Sequence, residues 1–171
     1  MNEIHSNLIV KVAESTKKIF KGMLATEVEM ASLQSTVPFD GQEVSALVVI
    51  GQKTKWVAHM HMAFDTAQKL ASNFLGEDVS GKEHVIRDCV GEIANLVFGT
   101  AKSHLDQEDL SMSPPEIIHD SGHAIEFAKA GELCPILFDT VSGKVLVQIC
   151  QVAQTGESWT VSPHSFQSEA A

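Results

Sequence analysis

The sequence predicts an α+β domain in which a mostly antiparallel sheet carries helices on one face. Three observations predict it: two long stretches with helical apolar spacing, strand-like runs grouped after each, and turn signals between neighbouring strands. The order is helix and three strands, a short helix, then helix and strands again. It predicts two pseudo-repeated helix-plus-strands halves, although the halves share no visible identity.

From Ile4 to Leu24 the residues Leu8, Ile9, Val12, Ile19 and Phe20 recur near helical spacing, and Gly22 frays the end. Then come 25-ATEVEMASL-33, a Pro and Gly turn at 38-PFDG-41, and 43-EVSALVVIG-51 with 55-KWVAHMHMAF-64, three strands of which the last two form a hairpin turning at Gly51 to Thr54. Asp65 reads as the N-cap of a short helix, 66-TAQKLASNFLG-76, closed by Gly76. Ser80 and Glu83 fit a capping box for a central helix that stays apolar-periodic to Leu105. The runs 115–119, 123–128, 132–140 and 143–152 read as strands, the last two turning at Ser142 and Gly143. Residues 1–153 thus form one domain, and the polar, turn-rich 154–171, with Trp159 and Phe166 isolated, has the composition of a mobile tail.

At 171 residues and 44% hydrophobic content the chain can bury its own core. Twelve Lys and Arg against 22 Asp and Glu give a formal charge of −10, which disfavours nucleic acid or an anionic membrane as partner. Cys89, Cys134 and Cys150 sit in apolar runs with neither disulfide nor metal spacing, so they read as buried hydrophobes in a reducing compartment. Charge enters every turn of the first twenty residues, which excludes a signal peptide or membrane span there and predicts a cytoplasmic protein.

The chemistry lies in 91-GEIANLVFG-99. At 100° per residue, Ile86, Val90, Ile93 and Val97 form a core stripe, while Asp88, Glu92, Asn95 and Gly99 fall opposite, bordered by Gly91 and Lys102. On that projection both glycines face away from the core, where each costs roughly 0.5–1 kcal/mol relative to alanine. Either a second macromolecule approaches closely enough to touch this backbone, or the face is an ordinary solvated one with two tolerated glycines. A carboxamide can orient a water without a shifted pKa, and a carboxylate can pair with a partner's lysine. For phosphoryl hydrolysis such positioning does most of the work, with no nucleophile needed on this chain.

The stretch 88-DCVGEIANLVFGTAKSHL-105 resembles the signature helix of the CheC, CheX and FliY family of chemotaxis phosphatases, CheX above all: a Glu and an Asn three apart, an upstream Asp, and a Gly four residues after the Asn. Here these are Asp88, Glu92, Asn95 and Gly99. The stretch 66-TAQKLASNFLGEDVS-80 is similar to the family's preceding short helix, and Ser113 with Pro114 or Pro115 to the Ser and Pro pair that opens its next strand. The resemblance runs, by order of elements, from the first helix to Val152.

It implies hydrolysis of the acyl phosphate of a phosphorylated CheY-like response regulator, with Asn95 orienting the water and Glu92 contacting a regulator lysine. Asp88, Gly91, Gly99 and Lys102 would then border the docked partner. No cofactor is expected on this chain, since the magnesium belongs to the receiver. The family also implies a homodimer joined by sheet edges. Because the first helix offers Glu14 but Lys17 where an Asn is needed, one active face per chain is expected. A non-catalytic adaptor that binds a receiver or a flagellar switch component through the same helix is the alternative.

His59 and His61 share one face of a strand, and His119 and His123 lie near a turn, yet no carboxylate is placed to complete a metal site, so the strand pair is expected to be exposed and no metal is expected. Met60 and Met62 read as core, and Lys17 and Lys18 as solvated charge.

Overall fold

The first apolar stripe becomes α1 (Glu3–Met23), which buries Leu8, Val12, Ile19 and Phe20. The computed structural model describes residues 3–32, 39, 41–51, 54–105, 110–121, 123–154 and 159–163. After α1 come β1 (Val28–Ser32), β2 (Gln42–Gly51), β3 (Lys55–Ala63), α2 (Phe64–Leu75) and α3 (Glu83–Ser103). The second half adds β4 (Glu116–Ser121), β5 (His123–Phe127), β6 (Lys129–Thr140), β7 (Gly143–Val152) and β8 (Trp159–Pro163).

Six strands form one antiparallel sheet in the order β1-β6-β7-β3-β2-β4, and β5 pairs with β8 in a separate two-stranded sheet. The expected repeat is present as topology. Exchanging β1 with β4, β2 with β6 and β3 with β7 reverses the strand order onto itself, and the same exchange relates α1 to α3. Two hairpins, β2–β3 and β6–β7, make the centre, and β1 and β4 are the two ends.

Strand alternation sorts the side chains onto two faces. Val44, Ala46, Val48 and Ile50 of β2, Trp56, Ala58, Met60 and Met62 of β3, and Val145, Val147 and Ile149 of β7 pack against the three helices in the main core. Each fully buried Val, Ile or Met among them contributes roughly 1.5–3 kcal/mol. On the reverse face, Leu47, Val57, Cys150 and Val152 are covered by Ile125, Phe127 and Trp159 of the small sheet.

Burial overturns the exposed reading of His59 and His61, which are 3% and 7% exposed; Phe127 of the small sheet meets the His59 ring and Phe39 meets the His61 ring. Ser45 Oγ stands 2.9 Å from His59 Nε2 and 2.7 Å from His61 Nδ1. Gln148 Oε1 accepts from His59 Nδ1 at 2.9 Å, and Glu43 Oε2 lies 3.4 Å from His61 Nε2. Buried polar groups persist when hydrogen-bonded to one another, and Ser45, His59, His61 and Gln148 meet that condition. Alternation marked the shared face, but strand periodicity could not reveal that a second sheet covers it.

Three local expectations change as well. Asp65 sits in the first turn of α2 rather than at its N-cap, which is Ala63, because the helix starts directly from the end of β3; the carboxylate still faces the positive end of the dipole. Gly76 does close α2, in the left-handed conformation at φ 69°. The Ser80 and Glu83 capping box does not form: the Ser80 hydroxyl donates to Asp78 Oδ1 at 2.6 Å, Gly81 turns at φ 74°, and α3 begins from Lys82 without a side-chain cap. The Ser80 hydroxyl and backbone N–H together hold the Asp78 carboxyl below its ordinary pKa. Within the segment read as a tail, Trp159–Pro163 is β8 and Trp159 packs in the reverse-face core; Phe166 lies outside the described residues.

Candidate functional site on α3

The stripe Ile86, Val90, Ile93 and Val97 is buried against the sheet, as its spacing predicts, together with Cys89, Ala94, Phe98 and Ala101. Opposite it, Asp88 and Glu92 are exposed and Asn95, Gly99 and Lys102 half-buried. Among the described residues no side-chain hydrogen bond or ion pair engages Asp88, Glu92 or Asn95, so the carboxylates and the carboxamide stand ready for an outside group. Burial pushes the Cys89 thiol up, and the charges of Asp88 and Glu92 push it further, which keeps this cysteine a neutral packing group.

Gly91 is a correction. It is buried, and a Cβ built on it would lie 3.3 Å from Ile117 Cδ1 and 3.9 Å from Pro115 Cβ. Its missing side chain makes room for β4 of its own chain. A helical projection locates residues relative to the sheet below and carries no information about a strand rising beside the helix. Gly99 is open by comparison, with Met112 Cε 3.6 Å from the built Cβ, which is ordinary contact distance.

These contacts define a seam. Running antiparallel to α3, the chain places Met112 beside Gly99, Pro115 and Ile117 beside Gly91, and His119 beside Glu83, where its Nδ1 lies 3.0 Å from Oε1. Asn95 stands one helical turn from each glycine, and so beside this seam. Residues 111–113 are laced to the end of β2: Gly51 N–H donates to the Ser111 carbonyl at 3.0 Å, Ser111 Oγ to the Gly51 carbonyl at 2.6 Å, Ser113 N–H to the Val49 carbonyl at 2.9 Å, and Val49 N–H to Ser113 Oγ at 2.9 Å. Pro114 and Pro115, which have no N–H to donate, separate this bridge from the regular β2–β4 ladder that begins at Glu116. Lys102 Nζ donates to the Leu110 carbonyl at 2.9 Å and ties the last turn of α3 to the start of the segment. Sequence reasoning noted Ser113 and the prolines but missed that they wall the helix; the eight-residue glycine spacing was the available signal.

The other candidates do not converge on the seam's centre. His119 is stacked on Phe64, with ring centroids 4.5 Å apart, and the side chain of His123 lies outside the described set. Among the described residues no group of three or more His, Cys, Asp or Glu could hold a metal ion, and no helix is long and apolar enough to cross a membrane.

Gly99→Ala tests the helical conformation there directly. With a free approach at 3.6 Å, alanine should stabilise the isolated protein by about 0.4–1 kcal/mol, read as a raised midpoint in thermal or denaturant unfolding. A lowered midpoint would mean that Met112 cannot adjust.

Against known proteins, the chain superposes on the chemotaxis protein CheX of Vibrio vulnificus with 25% identity and a TM-score of 0.74, covering 84% of this chain and 98% of that one. It shares the fold of CheX in a CheX–CheY–BeF3–Mg2+ complex from Borrelia burgdorferi, at 19% identity and a TM-score of 0.67, covering 85% and 97%. Thermotoga maritima FliY has the same fold at 12% identity and a TM-score of 0.59, covering 88% and 91%. No curated protein matches the sequence. The family model described as chemotaxis phosphatase CheX matches residues 44–139, which is more than half of the 171 and includes most of β2, then β3, α2, all of α3 and the seam beside it, and the chain therefore belongs to the CheX family.

Proposed function

We propose that this protein hydrolyses the acyl phosphate of a phosphorylated CheY-like response regulator by presenting α3 to the receiver's active site. The observation that carries the reading is the pair on α3: an exposed Glu92 and a half-buried Asn95, three residues apart, with no hydrogen-bonded partner among the described residues, inside the segment matched to the chemotaxis phosphatases. Asn95 has both an acceptor and two donors, enough to hold a water in line with a phosphorus atom while bonding a second group. Glu92 offers a full charge to a receiver lysine, a pairing that costs little desolvation at an exposed site and steers docking.

The receiver brings the phosphoryl group, its carboxylate leaving group and its magnesium. This chain adds position, which suffices where the transition state is loose and its charge is already met by metal and lysine. The CheX of the Borrelia complex is bound to CheY, and that pairing supports a receiver as partner here.

The test is phosphate release from purified, phosphorylated receiver domains with and without this protein. Acceleration that saturates with receiver concentration is expected. A complex that forms without acceleration would mean that the helix only binds, and would leave the adaptor as the function.

A further inference from the structure

Lys102 lies two turns beyond Asn95 on the same side of α3 and is half-buried. One of the three N–H donors of its ammonium is committed within the chain, 2.9 Å from the carbonyl oxygen of Leu110. Just beyond Leu110, four hydrogen bonds fasten residues 111 and 113 to Val49 and Gly51, and Met112 forms a bridge with Ile50. The segment is therefore clamped from two directions, to β2 through the sheet-like bridge and to α3 through Lys102. Within the bridge Met112, and just beyond it Pro115, come within van der Waals reach of the glycine positions on either side of Asn95.

From this arrangement we propose that Lys102 is a positioning residue for Asn95: its bond to the Leu110 carbonyl sets the height of the 110–117 wall against α3 and so holds the carboxamide in line for the attacking water. The proposal rests on the phosphatase reading above. A charge-assisted bond to a carbonyl is strong enough to fix a local register, and a displacement near 1 Å at the positioning group is large on the scale that water attack tolerates. Lys102 touches neither water nor phosphoryl group and acts only through the wall.

The experiment compares Lys102→Met, which keeps the aliphatic stem and removes the charge, with Lys102→Arg, which keeps a donor cation. Steady-state phosphate release would be measured from a receiver domain phosphorylated with a small-molecule phosphodonor, and the side-chain amide signals of Asn95 followed by NMR in the free protein. For the Met variant, kcat should fall about ten- to a hundredfold with KM nearly unchanged, and the Asn95 amide signals should shift or broaden. The Arg variant should recover most of both. A rise in KM at unchanged kcat would overturn the proposal in favour of direct partner contact, and a lowered unfolding midpoint with normal kcat would reduce Lys102 to a structural tie. Should the wild-type protein prove inactive, the phosphatase reading fails on its own, and Asn95 signals that do not move in the Met variant would still overturn the positioning role.

Discussion

Asn95→Ala should slow dephosphorylation of a phosphorylated receiver by roughly a hundredfold or more while leaving the fold intact. The size follows from what the carboxamide supplies. On the proposed reading the receiver carries the metal and the charge that neutralise the leaving group, and the carboxamide's contribution is the placement of one water. Neither neighbouring carboxylate on α3 can replace the carboxamide there: Asp88 stands about two turns away, and Glu92, three residues back, is acceptor-only when ionised. Stability should change by no more than about 0.5 kcal/mol, because Asn95 is half-buried, has no hydrogen bond among the described residues to lose, and gives way to a better helix former. Phosphate release and thermal unfolding on one preparation decide the matter. Wild-type turnover in the variant would remove Asn95 from the mechanism, and loss of activity only through unfolding would make it a structural residue.

Gly51→Ala should be the most damaging small substitution in the sheet, destabilising the protein by about 2–4 kcal/mol. Gly51 holds φ at 119°, a conformation that L side chains rarely adopt, and a Cβ there would overlap the Thr54 backbone carbonyl across the turn. Neither atom is the free end of a flexible side chain, so the hairpin itself must shift. Gly51 also donates to and accepts from Ser111, which makes it an anchor of the wall beside Asn95. Stability and activity should therefore fall together, the opposite of Gly99→Ala in stability. For a chain of this length the unfolding midpoint should drop by roughly 5–15 °C. A variant within about 1 °C of wild type would show that the turn relaxes freely.

The two glycines of 91-GEIANLVFG-99 show where reading a sequence reaches its limit. Helical spacing correctly put Ile86, Val90, Ile93 and Val97 in the core and Asp88 and Glu92 outside, because burial against one flat sheet is a matter of angle around one axis. Angle alone treated Gly91 like Gly99. What separates them is Ile117, twenty-six positions later in the chain, whose side chain reaches α3 only because β4 pairs with β2 at the end of the sheet.

The histidines make the same point on the other face. Alternation aligned His59 with His61 and buried Met60 with Met62, as a period of two requires. Their environment was set by distant segments: Phe127 of β5, which pairs with β8 from the segment whose composition reads as a tail, meets His59, and Phe39 meets His61. Local signals failed similarly at Ser80, whose hydroxyl found Asp78 before it could cap α3.

By itself, then, the sequence determined the fold class, the order and faces of nearly every element, the pairing of both central hairpins, and the presence of Glu92 and Asn95 on one outward stripe, since these depend on periodicity and turn chemistry within about twenty residues. Tertiary structure alone decided what closes over each surface: the small sheet, whose Phe127 meets His59 on the reverse face, and the 110–117 wall that Lys102 ties to the end of α3. The reason is physical. Periodicity records that one side of an element leaves water, whereas the identity of what covers it depends on contacts between segments far apart in the chain, which no local pattern encodes.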